Sequence, residues 1–280
     1  MRRGRIRTQL QNVLIGAAAV LTVAARFSPG RDAAGPVTTA ATALVGGRSV
    51  AAYVSGAVTN PAGRPGATDL RSAELTTALS TLAAVVGPLS HPQALEDAFR
   101  SYFAFRAAHP DDAVNPYLYF VDYGLPSTAP RGYVFDMAAL RVVDGPFTVA
   151  HGRGSSADGG VPRRFSNAFG SASTSLGLYV AQELYAFSGH SGGRAYRSLG
   201  LRLTGVSGAF NSNARARGVV AHGAPYVTAG QAGRSEGCPA VEPERAERLL
   251  PKLAHGGLVF LFAPDERWMA ADPWIAGRAG

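Results

Sequence analysis

Apolar positions recur at helical spacing early in the chain. Leu75, Leu79, Leu82 and Val86 predict a helix over 68–86, stopped by Gly87-Pro88. Ser90 and Gln93 have the spacing of a capping box, with Pro92 just inside the next helix start. That helix places Leu95, Phe99, Tyr102 and Phe103 on one face, a stripe suited to packing on a sheet. From residue 117 the texture changes. Short runs of β-formers at 117–123, 131–135, 146–151, 177–186, 200–203, 218–222 and 257–262 are separated by Gly, Pro, Ser and Asn clusters. One further helix is expected over 243–250, with Pro243 in its first turn and Pro251 ending or bending it. The pattern predicts a mainly β domain with flanking helices, built as an antiparallel sandwich or barrel.

Before residue 68 the pattern is different. Residues 1–25 carry Arg2, Arg3, Arg5 and Arg7 ahead of a small, apolar run from Val13 to Ala25. That run is short for a membrane span, and Val23-Ala24-Ala25 offers a small-residue cleavage point. The segment reads as a signal peptide or N-terminal anchor, so the protein is expected to be exported to the periplasm or cell envelope. Residues 26–67, rich in Ala, Gly and Pro, read as an arm with a strand near 50–58. The catalytic domain with its N-terminal helices is assigned to 68–263, and 264–280 to a surface tail.

Charge changes less than it first suggests. The 280 residues carry a formal +8, which invites a nucleic-acid reading. Four of the basic residues lie in the leader with no acid beside them, so cleavage leaves +4. The remaining arginines are dispersed, and no nucleic-acid partner is expected. A single cysteine rules out a disulfide scaffold and any Cys-rich metal site. No metal-binding spacing appears, and residues 152–160 lack the ending of a phosphate-binding loop, so no metal or cofactor is expected.

Candidate chemistry concentrates in RGVVAHGAPYV (217–227) and GRSEGCPA (233–240). A thiol of pKa about 8.5 needs a base or a cation to become a nucleophile. His222, at a strand end, can take the Cys238 proton and later return it to a leaving amine. Gly237 permits close backbone approach, so its N–H and that of Cys238 are candidates for an oxyanion hole. Arg234 can favour the thiolate or grip a substrate carboxylate. The alternative for Cys238 is a buried, inert thiol in a non-catalytic wall-binding protein.

The pair His222-Gly223 with Ser235-Glu236-Gly237-Cys238 resembles the HG…S-x-G-C signature of YkuD-like L,D-transpeptidases. The nearer resemblance is to the divergent murein L,D-transpeptidase catalytic domain family. It runs in order through NPYLYFVDYGLPSTAPRGYVFDM (115–137), VAHGRGS (149–155), FSNAFGSASTSLGLYV (165–180), GLRLTG (200–205), FNSNARARGVVAHGAPYV (210–227) and GRSEGCPAV (233–241). It spans roughly residues 93–263.

The resemblance implies a YkuD-like β fold and a bacterial envelope enzyme acting on peptidoglycan stem peptides. Cys238 would be the nucleophile and His222 the base, with Ser235 and Gly237 as motif partners. The product would be a 3→3 cross-link, or a trimmed stem if water is the acceptor, as in an L,D-carboxypeptidase. Two positions depart from the commoner pattern: Glu236 stands where many relatives have His, and Ala240 where many have Arg.

Other residues in the matched segments carry weaker signals. Tyr226 can offer a hydroxyl to the cleft, and His151 can line it or cap a strand. Asn167 can touch substrate or fix a turn. Arg234, Ser235, Tyr226, His151 and Asn167 are the candidate substrate contacts. A sortase-like enzyme shares the His-then-Cys order, but the interval here is short; a papain-like order is reversed.

Overall fold

In the computed structural model, residues 44–45, 48–49, 67–156 and 160–277 are described. The leader, and the strand expected near 50–58, lie outside them. The chain divides into two units, 1–60 and 61–280. In the first, β1 (Leu44–Val45) pairs antiparallel with β2 (Arg48–Ser49). Among the described residues no helix is long and apolar enough to cross a membrane.

The second unit opens with two helices. α1 (Ala67–Leu82) ends in a 3-10 turn at Ala83–Val85, and α2 covers Ala94–Ala108. Leu95, Phe99 and Tyr102 are buried as their spacing demands, and Phe103 is half-buried. The capping box does not form. Both Ser90 groups go instead to the buried Asp122 carboxylate, N to Oδ2 at 2.7 Å and Oγ to Oδ1 at 2.6 Å. The two Asp122 oxygens accept both Ser90 donors at once, which leaves none for a box.

The strands are β3 (Tyr117–Asp122), β4 (Gly132–Asp136), β5 (Arg141–Phe147), β6 (His151–Gly152), β7 (Gly177–Ser191), β8 (Arg194–Gly205), β9 (Val220–Gly223), β10 (Val227–Thr228), β11 (Gln231–Ala232), β12 (Arg234–Ser235), β13 (Ala240–Val241) and β14 (Leu258–Phe262). Eight of them form one sheet in the order β13-β9-β8-β7-β14-β3-β4-β5. The mainly β class with flanking helices holds, but the sheet is mixed: β14 runs parallel to β3 and β13 parallel to β9. The two edges approach each other. Ala150, just beyond β5, bridges Ala240 of β13, its N–H donating to the Ala240 carbonyl at 2.8 Å. β6 then pairs with β12, which brings Arg234 opposite His151.

β3 and β14 lie near the middle of the sheet, and nearly all of their residues are buried. α3 (Pro243–Leu253) sets Leu249, Leu250 and Leu253 against Tyr119, Val134, Phe147 and Val241. It runs past Pro251 because a proline so near the end removes only one helical hydrogen bond.

Two expectations are corrected. β7 and β8 are far longer than 177–186 and 200–203, pairing out to Ser191 and Arg194. Their tips, rich in Ser, Gly and Arg, have no apolar alternation to reveal them. Gly192 and Gly193, both at positive φ (56° and 76°), close the hairpin as a two-residue turn needs. The segment after 263 is not a surface tail. α4 (Glu266–Ala271) buries Trp268 against Phe260 and Phe262, and Trp274 is buried beyond it.

Candidate active site

Cys238 and His222 sit on neighbouring chains of one sheet edge. Ala240 is the register partner of His222 across the parallel β13–β9 pair, and Cys238 lies two residues before Ala240. The segment leading into β9 wraps the sulfur. The Val220 amide donates to it, and the Gly218 carbonyl lies 3.9 Å from Sγ.

His222 is buried, and its tautomer follows from one contact. Nδ1 lies 3.0 Å from the Gly223 carbonyl, which can only accept. Nδ1 therefore carries the proton, and the Nε2 lone pair is left for a substrate or thiol proton. Phe187, from the long hairpin, stacks on the imidazole with centroids 4.1 Å apart. Burial holds the His222 pKa down at about 4 and pushes the Cys238 thiol up to about 11. At neutral pH the resting pair is a thiol beside a neutral imidazole.

The turn holding Cys238 is stitched by Ser235. Its Oγ accepts from the Gly237 N–H at 3.1 Å and donates to the Cys238 carbonyl at 2.7 Å. This corrects the picture of two amides facing one hole. Gly237 N–H is engaged within the turn, and Cys238 N–H is left without a protein partner among the described residues. Gly237 adopts φ +126°, and a Cβ there would fall 2.8 Å from the Ser173 carbonyl. Only glycine fits.

The other candidates are placed as follows. Ser235 is buried and serves the turn. Arg234 bends back on the residues just before it, Nη1 donating to the Ala232 and Gly233 carbonyls at 3.0 and 2.8 Å. Tyr226 packs edge-on against Tyr196, centroids 6.4 Å apart, and the electrostatic reach of Cys238 includes both hydroxyls. His151 is fully buried: Nδ1 accepts from Arg131 at 2.8 Å, so Nε2 is the protonated nitrogen and donates to Ser156 Oγ at 3.0 Å. Burial and the Arg131 charge drive its pKa down to about 3. Neither ring nitrogen is free for substrate. Asn167 Nδ2 donates to Ala209 O and Ser212 Oγ, while its Oδ1 accepts from Asn213 N. It fixes a turn and lines a 620 Å³ groove with Phe165, Phe210 and Trp268.

Three groups around the site escaped the sequence reading. Arg131 is fully buried, donating to Val149 O, Leu125 O and His151, with its guanidinium 4.8 Å from the Tyr123 ring centre. Phe187 lay just beyond an expected strand end. Arg217 lay inside a matched segment, where its spacing from Arg215 was the available signal. Arg215 faces out to Glu183 at 2.9 Å, whereas Arg217 turns under the cysteine turn. Glu236, at the position where many relatives carry His, is exposed and paired with Arg153 at 2.7 Å. Among the described residues no cluster of three or more metal-ligating side chains is found.

Comparison with known proteins gives a family and little else. Residues 88–262 match the family model described as YkuD_2, L,D-transpeptidase catalytic domain. An L,D-transpeptidase from Mycobacterium smegmatis is 15% identical, with 53% of this chain and 59% of that chain covered and a TM-score of 0.32. A second L,D-transpeptidase structure, from Stackebrandtia nassauensis, is 14% identical over 68% of this chain and 89% of that chain, with a TM-score of 0.33. The chain thus spans 59% of the length of the M. smegmatis enzyme. No curated protein matches. The assignment rests on the family model.

Proposed function

The chain belongs to the L,D-transpeptidase catalytic domain family, and from that premise we propose that it is an exported enzyme that cross-links peptidoglycan stems 3→3 through a Cys238 thioester. The observation that supports this most directly is the pairing of β13 with β9. It sets the cysteine turn beside a buried histidine whose Nε2 lone pair is unprotonated and unpartnered among the described residues.

The chemistry follows from those two groups. Nε2 of His222 takes the thiol proton as sulfur attacks the carbonyl carbon of the third stem residue. The Cys238 N–H faces the developing oxyanion. Collapse breaks the amide bond to the terminal D-alanine, whose amine takes the proton back from His222. The side-chain amine of a second stem then attacks the thioester carbonyl and gives its proton to His222. A new amide forms, and the thiol is regenerated as that proton returns to sulfur. Arg2, Arg3, Arg5 and Arg7 before an apolar run support export and a possible tether to the membrane.

The test is an intact-mass measurement after incubation with a carbapenem. A one-to-one adduct that disappears in Cys238→Ala is the expected result. No adduct on the wild type, or one that survives the substitution, overturns the thiol mechanism. Digestion of treated peptidoglycan then separates the products. 3→3 dimers support cross-linking, while tripeptides alone make water the acceptor.

A further inference from the structure

We propose that Arg217 is the positioning residue of this site, holding the Cys238 turn in shape from below and placing its positive charge where its field reaches the sulfur. The inference rests on the reading of Cys238 as nucleophile and adds to it a residue that the cysteine motif does not contain.

The geometry is specific. Arg217 is half-buried, and both terminal nitrogens of its guanidinium donate to neutral oxygens of a single loop. Nη1 donates to Ser166 O at 2.8 Å and to Ser175 Oγ. Nη2 donates to Ser171 Oγ at 3.1 Å and Ser173 O at 2.8 Å. That Ser173 carbonyl is the atom against which Gly237 packs, and Arg217 Nη2 lies 3.5 Å from where a Gly237 Cβ would stand. The arginine thus clamps residues 166–175 under the turn that aims Cys238. A planar fork reaching four oxygens is a task that lysine's point charge cannot perform.

The charge itself has no acidic partner. None of the ion pairs among the described residues includes Arg217. Its field falls on Cys238, where it opposes the effect of burial, while the Glu236 carboxylate works against it. The remaining ionisable neighbours whose field couples to the sulfur (Tyr123, Tyr179, Tyr185, Tyr196 and Tyr226) are uncharged at neutral pH, as is His222. Among the described residues Arg217 is therefore the cation whose field offsets the negative charge that sulfur develops.

The experiment reads the two roles separately in the full chain. The pH dependence of Cys238 alkylation by iodoacetamide reports the thiolate, and the rate of carbapenem adduct formation reports geometry. In Arg217→Met the alkylation rate at pH 9 is expected to fall about tenfold, the change expected from a thiol pKa one unit higher. In Arg217→Lys the alkylation profile stays near that of the wild type while adduct formation slows at least tenfold. Near-UV circular dichroism checks the fold. Should Arg217→Met not fold, Arg217→Gln, which keeps donors for the loop but no charge, carries the same comparison.

An alkylation profile unchanged on loss of the charge, or shifted equally in Arg217→Lys, overturns the proposal. Alkylation needs no substrate. A wild type that alkylates but forms no carbapenem adduct would sink the proposed function alone.

Discussion

Phe187 and His222 lie face to face, their ring centroids 4.1 Å apart and their planes 19° from parallel. One ring belongs to a hairpin arm that extends beyond its neighbouring strands, and the other to β9. The contact seals the imidazole from water, and burial is the main cause of its low pKa. Phe187→Ala should therefore raise that pKa from about 4 toward the ordinary 6.5. Because only neutral His222 accepts a proton, the acid limb of activity moves to higher pH. Carbapenem adduct formation at pH 5 should drop about tenfold relative to its pH 7.5 rate, a ratio the wild type will not show. A profile unchanged in its acid limb would contradict the assignment of His222 as base.

Gly237 is the second place where a small change should have a large effect. Alanine there meets the Ser173 carbonyl at 2.8 Å in a backbone region that disfavours any Cβ. Strain of this kind costs ~1–3 kcal/mol and displaces the cysteine turn. Gly237→Ala should remain folded by circular dichroism yet form the carbapenem adduct at least a hundredfold more slowly.

The segment beyond residue 263 can be tested by stability alone. Trp268 is 1% exposed, and its Nε1 donates to Asp272 at 2.9 Å. Trp268→Ala should destabilise the domain by ~3–5 kcal/mol. Urea unfolding followed by circular dichroism checks this; a change within experimental error would mean the segment is not part of the cooperative unit.

Asp97 supplies a pH signature. It is buried on α2 with Oδ2 unpartnered among the described residues, and burial raises its pKa to about 6 from an ordinary 3.8. Between those values the folded protein holds a proton that the unfolded chain releases. Stability from this group is therefore fully present below pH 3.8, falls as pH rises toward 6, and stays lost above it. The loss is at most ~3 kcal/mol. Asp97→Asn should flatten that slope in urea melts at pH 4.5 and 7.5, and raise stability at the higher pH.

Much of this site was legible because it is local in sequence. His222-Gly223 and Ser235-Glu236-Gly237-Cys238 are short motifs, and Gly237 announces a backbone conformation by its own identity. α2 and α3 were legible for the same reason: an apolar stripe or a first-turn proline needs no distant partner to be read. The arms of β7 and β8 were not, because paired backbone can sustain a strand through Ser188–Ser191 without any apolar alternation.

The sequence alone determined the residue types that can do chemistry: one thiol, a histidine ending an apolar strand, and a glycine between them and the loop below. It also showed the runs at 117–123 and 257–262 as strands, while their central, buried place in the sheet came from the tertiary structure. What only the tertiary structure decided was which polar groups are free. His151 and Ser235 are fully occupied by Arg131, Ser156 and the cysteine turn, whereas Nε2 of His222 and the amide of Cys238 have no partner among the described residues. The reason is physical: a side chain's availability depends on hydrogen bonds formed between segments far apart in the chain. Neither composition nor spacing records those bonds.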